Sequence, residues 1–480
     1  MVAGVRWGQP YRSIFSDMKT NHTLTWVASL SLVTATAWAA QPVPPGASVP
    51  AVQAGASAPP AMQYAAKAMP RVSKPAAETF DLPQLLELAQ STNKGAQAAQ
   101  ANVDAASAAI NSARAYPNPQ VEVMYGRLSG KQPGVASGNA PSYAFVQKFD
   151  YPNQRQLRAE MAGRGLDASE ALRKSFRAEL AARVKTAYFQ VLRRETELAA
   201  ARDDLQLTRQ IQGRAKVRVD VGEAPRYELI KAETELLAAQ KTLQTAELRV
   251  EQAKAALRQQ VGGAMPASFA LGGSLAGTPD VPTLAVLRDA MQANNAELNQ
   301  RRSELERARL GVDYQRSLRW PEVSLRASTD RQPDNNVSQI GLIMTIPLWD
   351  RRSGPVGEAT AQATQARTAL EAREFELSQE LESAYQQYEI TQAQVTALES
   401  GIVREAESAL GVAEAAYRFG ERGILDYLDA QRVLRNARSE LINAQYELQI
   451  AAIQIEKLMS ATPGAHAAAA PSMSVTPNTN

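Results

Sequence analysis

The sequence predicts a mainly α-helical protein with a small β part, a duplicated unit of helix, β-hairpin, very long helix and shorter helix. Three observations predict this fold class. The stretch Val221–Leu236 aligns with Phe419–Leu434, and each has a glycine in its second position followed by a glutamate. Each stretch is preceded by more than sixty residues without proline and followed by apolar residues at heptad spacing. Two unrelated helices would not share both the turn and its register, so we interpret the chain as an internal repeat.

The segments after the two turns carry the same seam of apolar residues. In each seam a large residue alternates with alanine at steps of three and four, which is typical of closely packed helices. The seam residues are Leu229, Ala232, Leu236, Ala239, Leu243, Ala246, Val250, Ala253 and Leu257 in the first copy, and Tyr427, Ala430, Leu434, Ala437, Leu441, Ala444, Leu448, Ala451, Ile455 and Leu458 in the second.

The very long helices are expected from about Asn153 to Asp220 and from about Val356 to Arg418. At about 1.5 Å per residue each would be a rod of roughly 100 Å. Two short alternating stretches precede each rod and flank a loop rich in Gly, Pro, Asn and Ser, which indicates a β-hairpin. The strands are predicted at about 119–130, 141–151, 321–332 and 337–349.

These elements divide the chain into segments. We expect a first repeat over 79–262, an inter-repeat link over 263–282 and a second repeat over 283–461. The N-terminal residues 1–40 are predicted to be a leader with a signal peptide, starting at Met18 and ending in the cleavage motif Ala37-Trp38-Ala39. Alanine- and proline-rich composition predicts disorder in two further segments, 41–78 and 462–480.

Composition excludes several classes of function. The chain of 480 residues has no Cys and only two His, His22 in the leader and His466 in the tail, with a formal net charge of +3. Thiol and imidazole chemistry are therefore excluded from the folded body. Basic residues are interleaved with acids, so we expect no nucleic-acid partner. Neither a nucleophile–base arrangement nor a phosphate-binding loop occurs, so we predict no enzyme, no catalytic residue, no metal site and no cofactor.

The hairpins offer a route across a membrane. Val121, Val123 and Tyr125 alternate with Glu122 and Met124, and beyond the leader no apolar run reaches 18 residues. One chain supplies four strands, whereas a membrane barrel needs about eight or more. Two copies would just close a barrel, and three would give twelve strands. The alternative is a half-buried hairpin in a soluble sheet.

The sequence resembles the TolC-type outer-membrane factors of Gram-negative export systems over about residues 80–460. The resemblance rests on Tyr116-Pro117-Asn118-Pro119 and Trp320-Pro321 before the strand pairs, and on a glycine with an acid six residues later in both turns. It implies a homotrimer with a 12-stranded β-barrel in outer-membrane lipid, continued by an α-helical coiled-coil tunnel in the periplasm. It also implies docking to a periplasmic adaptor and an inner-membrane RND pump.

Three motifs are similar to the outer-membrane component of cobalt–zinc–cadmium type RND exporters: DLPQLLELAQ, AYPNPQVEV and QKFDYPNQR. The resemblance therefore implies a passive exit duct for heavy-metal cations. Two alternatives stay open, an exit duct for drugs or for type I protein secretion, and a soluble periplasmic coiled-coil or adaptor protein.

The resemblance also implies that the two turns form a periplasmic aperture. It assigns Asp426 and Asp429 to a selectivity ring, and Tyr417, Arg422 and Glu228 to a latch network; Gly222 and Gly420 would make the turns themselves. Asp426 and Asp429 share a helix face at spacing i,i+3. The alternative is an ordinary helix–turn–helix corner, in which Arg422 and Asp426 form an exposed ion pair.

Overall fold

The protein is described here by a computed structural model that covers residues 78–131, 134, 136–263 and 265–460. The predicted leader (1–40), nearly all of the alanine- and proline-rich segment (41–78) and the tail (462–480) lie outside the described residues. Within the described part of the chain, no helix has the length and apolar character needed to cross a membrane.

The first half contains one helix–hairpin–helix series. Its elements are β1 (Glu78–Phe80), α1 (Leu82–Thr92), α2 (Lys94–Arg114), β2 (Gln120–Leu128), β3 (Gly138–Phe149), α3 (Pro152–Asp220) and α4 (Arg226–Val261). Pro152 begins α3. It lacks the N–H that would have no partner in the first turn of a helix, and its ring fixes φ at a helical value.

The second half repeats the series with one addition, a break in its long helix. Its elements are β4 (Phe269–Leu271), α5 (Leu284–Asn294), α6 (Ala296–Ser317), β5 (Glu322–Arg331), β6 (Asn336–Thr345), α7 (Ser353–Ala397), a π-helical turn (Leu398–Ile402), α8 (Val403–Arg418) and α9 (Ile424–Leu458). The chain is thus mainly helical with a small β part, as predicted.

The heptad seams are confirmed. Along α9, eight of the ten predicted seam residues are buried, and Ala430 and Leu441 are half-buried. Along α4 the alanines Ala232, Ala239 and Ala246 are buried. Because alanine ends at Cβ, α4 and α9 can each lie close to a long helix.

The strands of both hairpins form a single antiparallel sheet in the order β2-β3-β5-β6. Residues directly opposite one another share a face of the sheet. Val121 pairs with Phe145, Phe145 with Ala327, and Ala327 with Ile340, so the apolar positions of all these strands lie on one face. The large side chains of this face are exposed: Val121, Val123, Tyr125, Tyr143, Phe145, Phe149, Ile340, Leu342 and Met344.

The opposite face of the sheet is mixed: it carries ion pairs together with the exposed apolar residues Met124 and Ile343. Arg326 of β5 reaches across β3 to Glu122 of β2 at 3.0 Å, and Lys148 binds Glu322 at 2.8 Å. The alternation expected from the sequence is therefore confirmed for the apolar face, whereas the opposite face combines ion pairs with apolar residues.

A second sheet was not predicted as such. Strand β1 pairs in parallel with β4, which lies within the inter-repeat link. Phe269 of β4 is buried in a core formed with α1, α3 and α4, so the link is fixed against the first half.

A matched pair of asparagines closes each half. The side chain of Asn93 caps the start of α2, and its amide donates to the carbonyl of Gln260 near the end of α4 at 3.0 Å. Asn295 caps α6 in the same way and donates to the carbonyl of Leu458 at the end of α9 at 2.8 Å. Each asparagine thus accepts a hydrogen bond from a backbone N–H at the start of one helix and donates one to a backbone carbonyl near the end of another.

Candidate functional site: the two helical corners

The two turns, which we call the first corner (Val221–Pro225) and the second corner (Phe419–Gly423), have the same backbone. Gly222 has a φ of 82° and Gly420 a φ of 76°, a left-handed conformation that favours glycine. The N–H of Glu223 donates to the carbonyl of Arg218 at 2.8 Å, and the N–H of Glu421 donates to the carbonyl of Ala416 at 2.9 Å. Both long helical segments therefore end in the same glycine-dependent motif.

The two corners lie together in the fold. Helices α3, α4, α8 and α9 pack around one buried cluster beside them, formed by Ile211, Ala215, Ala232, Tyr417, Ile424, Tyr427 and Leu428. The rings of Tyr417 and Tyr427 are 5.9 Å apart at an angle of 34°. The apolar residues that flank the second corner thus bury themselves against helices of the first half.

Two arginines of α3 fasten the second corner to the first half. The guanidinium of Arg218 lies 5.0 Å from the ring centroid of Tyr417, and its Nη1 donates to the Tyr417 carbonyl at 3.4 Å. Arg214 binds Glu414 of α8 at 2.8 Å. Sequence analysis missed both arginines. A signal was available, since the aligned positions of the second half hold the uncharged residues Val412 and Ala416.

Glu228 and Tyr417 are brought together inside this packing. Tyr417 is only 2% exposed, and burial raises the pKa of its hydroxyl, with a further increase from the carboxylate of Glu228. The Tyr417 hydroxyl and the Glu228 Oε2 are both buried and have no hydrogen-bond partner among the described residues. The other oxygen of Glu228 lies 3.9 Å from where a Cβ on Gly423 would be.

Arg422, Asp426 and Asp429 occupy a different environment. Arg422 binds Asp426 at 3.4 Å, with the two side chains 67% and 53% exposed. Asp429 is 73% exposed and lies 3.7 Å from Arg432 on the same helix. The predicted latch residues are therefore divided: Tyr417 is buried and Glu228 half-buried between helices, whereas Arg422 lies on the surface with the two aspartates.

The surface formed by Arg422, Asp426 and Asp429 is charged but does not form a metal-binding site. Asp426 and Asp429 project from the first turns of α9, where the positive end of the helix dipole favours carboxylates. Among the described residues no group of three or more metal-ligating side chains could hold an ion. Each of the two aspartates lies beside an arginine, and the buried cluster holds the two helical corners together.

This is a duplicated helical fold with its hairpins in one sheet and its two corners packed together, and comparison with known proteins assigns its family. The model of the outer membrane efflux protein family matches residues 85–263 and 287–461. The chain belongs to this family. It is accordingly a transport protein and not an enzyme.

Individual relatives are similar over most of the chain. The cobalt-zinc-cadmium resistance protein CzcC of Cupriavidus metallidurans is 26% identical over 394 residues, 82% of this chain and 92% of the relative. The outer membrane protein TolC of Escherichia coli is 25% identical over 409 residues, 79% of this chain and 82% of the relative.

Solved structures share the fold. A crystal structure of CusC has a TM-score of 0.69 at 17% identity and covers 79% of this chain and 91% of its own. The open state of the MtrE outer membrane channel of Neisseria gonorrhoeae has a TM-score of 0.67 at 20% identity, and covers 79% and 88%.

Proposed function

We propose that this protein is the outer-membrane channel of a tripartite export system and that it releases heavy-metal cations. The observation that carries the proposal is the membership of both halves in the efflux family, combined with the two-faced sheet. The chain itself acts as a passive duct, so the chemistry that selects the cargo belongs to the pump.

The sheet supports placement in outer-membrane lipid. Its exposed apolar face suits lipid, and its opposite face carries ion pairs such as Arg326–Glu122 that suit a wet lumen. Strands β2 and β6 occupy the two outer positions of the sheet order, where each has one neighbour. An open edge is not stable in lipid, so we propose that three copies join β6 to β2 and close a barrel of twelve strands.

The helices support a tunnel in the periplasm of a Gram-negative bacterium. Helix α3 has 69 residues and is therefore about 100 Å long. We propose that the repeats 79–262 and 283–461, joined by the link 263–282, line this tunnel together in the trimer. The matched family segments, 85–263 and 287–461, support the same division.

The corners are the proposed periplasmic aperture. We assign Asp426 and Asp429 to its rim, where three chains would present six carboxylates around one axis and favour cations. Tyr417, Glu228 and Arg422 are the proposed latch: Tyr417 and Glu228 hold the second corner against the first, and Arg422 binds Asp426 within the second half. Gly222 and Gly420 supply the turns. The proposed partners are a periplasmic adaptor and an inner-membrane RND pump.

Heavy-metal cargo is supported by two relatives. CzcC is named for resistance to cobalt, zinc and cadmium. The nickel-cobalt-cadmium resistance protein NccC of Alcaligenes xylosoxydans xylosoxydans is 26% identical over 305 residues. The alkaline protease secretion protein AprF of Pseudomonas aeruginosa matches 33% of this chain, which is the basis for protein secretion as the rival cargo.

Deletion of the gene, with complementation by the wild-type gene, tests the cargo. We expect the deletion strain to become sensitive to zinc, cobalt and cadmium while its tolerance of dyes and antibiotics is unchanged. Sensitivity to dyes alone would assign drug export, and loss of a secreted protein would assign type I secretion. Membrane fractionation tests the channel itself: a detergent-extracted oligomer from outer membranes is expected, and a chain soluble in buffer alone would contradict the proposal.

A further inference from the structure

The long helix of the second half has a break that the first half lacks. The π-helical turn Leu398–Ile402 separates α7 from α8, and the N–H of Val403 donates to the carbonyl of Leu398, five residues back. Helix α3 runs without such a turn from Pro152 to Asp220. Short π-helical turns inside α-helices are often found at functional sites.

The buried seam of the helix shifts by one residue at this turn. Tyr388 and Val395 are buried seven residues apart, but the next heptad position, Ile402, is 50% exposed. Val403 takes its place against the core, and Leu410 and Tyr417 then follow at steps of seven. In α3 the buried residues Ala201, Thr208 and Ala215 keep the seven-residue step throughout. The π-helical turn therefore accommodates one extra residue in the second half.

The residues of the turn weaken it as a helix. The hydroxyl of Ser400 donates to the carbonyl of Thr396 at 2.6 Å, a bond that competes with the backbone ladder and bends helices. Glycine favours the helix less than any other residue except proline. A Cβ at Gly401 would meet nothing within 4 Å. Packing does not require glycine at this position.

The turn is also held at one defined place. Leu398 is buried, and Gln445 of α9 donates to Glu399 at 2.7 Å. On the far side, the sixteen residues of α8 extend about 24 Å to the second corner. A bend at the turn is therefore amplified along α8 and displaces its far end, where Tyr417 lies.

We propose that the π-helical turn is the hinge about which the second corner moves away from the first. This inference rests on the proposed channel function, since it assigns the motion to the aperture. The first corner, at the end of the continuous helix α3, is the fixed side. The two halves thus differ in the charges at their corners. They also differ in the stiffness of the long helix that leads to each corner.

Deletion of Gly401 is the sharpest test. It shortens the step from Leu398 to Val403 to four residues and restores the heptad, so the segment can form a continuous α-helix. Gly401→Ala is the second variant in case the deletion does not fold, and Gly411→Ala is its matched control. Gly411 lies in the regular helix α8, and a Cβ there also meets nothing within 4 Å.

Two measurements on the full-length protein in detergent or lipid decide the proposal. Hydrogen exchange at residues 398–402 is expected to be at least about tenfold faster than at the aligned residues 200–204, and to slow to their rate on deletion. In planar bilayers the frequency of conductance transitions is expected to fall with the deletion and with Gly401→Ala, but not with Gly411→Ala.

The outcomes separate the hinge from the channel function. Equal exchange at the two segments overturns the hinge, as does an unchanged transition frequency in the deletion variant of a working channel. If the wild-type protein forms no channel, the proposed function fails, and the exchange rates alone decide whether the turn is a hinge in this fold.

Discussion

Arg218 in the first half is stacked on Tyr417 in the second, with its guanidinium 5.0 Å from the ring centroid, and it also donates to the carbonyl of that residue. The carbonyl belongs to the last turn of α8 and also accepts from the N–H of Gly420 at 3.2 Å. One side chain therefore fixes both the ring and the backbone at the second corner. This is a direct link between the two repeats at the proposed aperture.

We expect Arg218→Gln to open the channel. The variant loses a cation–π contact of about 1–2 kcal/mol between the corners. A change of about 1.4 kcal/mol shifts the ratio of open to closed channels about tenfold. Single-channel recordings in planar bilayers measure this as a higher mean conductance.

Arg418→Gln is the matched control. Arg418 stacks on Phe419 at the same distance, 5.0 Å, but this contact lies within the second corner and does not join the repeats. Its removal is expected to leave the conductance unchanged. Equal effects of the two variants would mean that the repeats are not held together through Arg218.

The two corners show which parts of the candidate site can be predicted from the sequence. A glycine followed by a glutamate identifies both turns, because a left-handed backbone position restricts the residue type. The contacts between the corners depend on the rotation of four helices about each other, which a single heptad pattern does not define. Arg218 could have been found only by asking where the aligned halves differ in charge, since the second half has Ala416 there.

We expect Asp426→Asn with Asp429→Asn to reduce the preference of the channel for cations. Opposite charges near a protein surface attract by on the order of 1 kcal/mol or more. The half-blocking concentration of a trivalent cation should therefore rise roughly tenfold. Reversal potentials in a salt gradient and blocking curves in planar bilayers measure both effects.

Glu440→Gln is the control for this pair, because it removes an exposed carboxylate farther along the same helix. Its reversal potential should equal that of the wild type. A double aspartate variant with unchanged selectivity would place the constriction elsewhere in the channel.

Other features were missed for a different reason. Strand β1 has three residues, too few for an alternating pattern, and its partner β4 lies about 190 residues away along the chain. The π-helical turn left a trace in the sequence, the step of five from Leu398 to Val403. The step of five can be recognised only when the buried side of the helix is known. The seam of α9, in contrast, can be recognised from the sequence because alanine recurs in it.

The protein should lose stability in alkaline solution through its buried tyrosines. Burial raises the pKa values of Tyr417 and Tyr427, with nearby carboxylates adding to the effect. In the unfolded chain tyrosines release their protons near pH 10, while these two hold theirs in the folded state. The folded state then binds more protons, so the free energy of unfolding falls as pH rises above about 10, and is unaffected below it.

The double variant Tyr417→Phe, Tyr427→Phe should flatten this dependence by up to about 1.4 kcal/mol per pH unit for each tyrosine. Chemical unfolding followed by circular dichroism at pH 8 to 12 measures it. Tyr227→Phe is the control, because the Tyr227 side chain is 56% exposed. A slope that the double variant leaves unchanged would show that other groups govern alkaline unfolding.

Asn295→Ala should destabilise the second half strongly. Asn295 is 4% exposed, accepts from the N–H of Leu298 at 3.0 Å and donates to the carbonyl of Leu458. Loss of the cap removes about 1 kcal/mol. The carbonyl left without its partner costs about 1–3 kcal/mol more, so the free energy of unfolding should fall by about 2–4 kcal/mol in total.

Two further variants separate the cap from the carbonyl contact. Asn295→Asp keeps an acceptor for the helix start but cannot donate to Leu458, and it adds a charge beside that carbonyl, so it should be no more stable than Asn295→Ala. Asn294→Ala changes the exposed neighbour and should leave the unfolding free energy within about 0.5 kcal/mol of wild type. If Asn295→Asp is as stable as the wild type, the cap alone fixes the start of α6, and the end of α9 is held by its apolar seam.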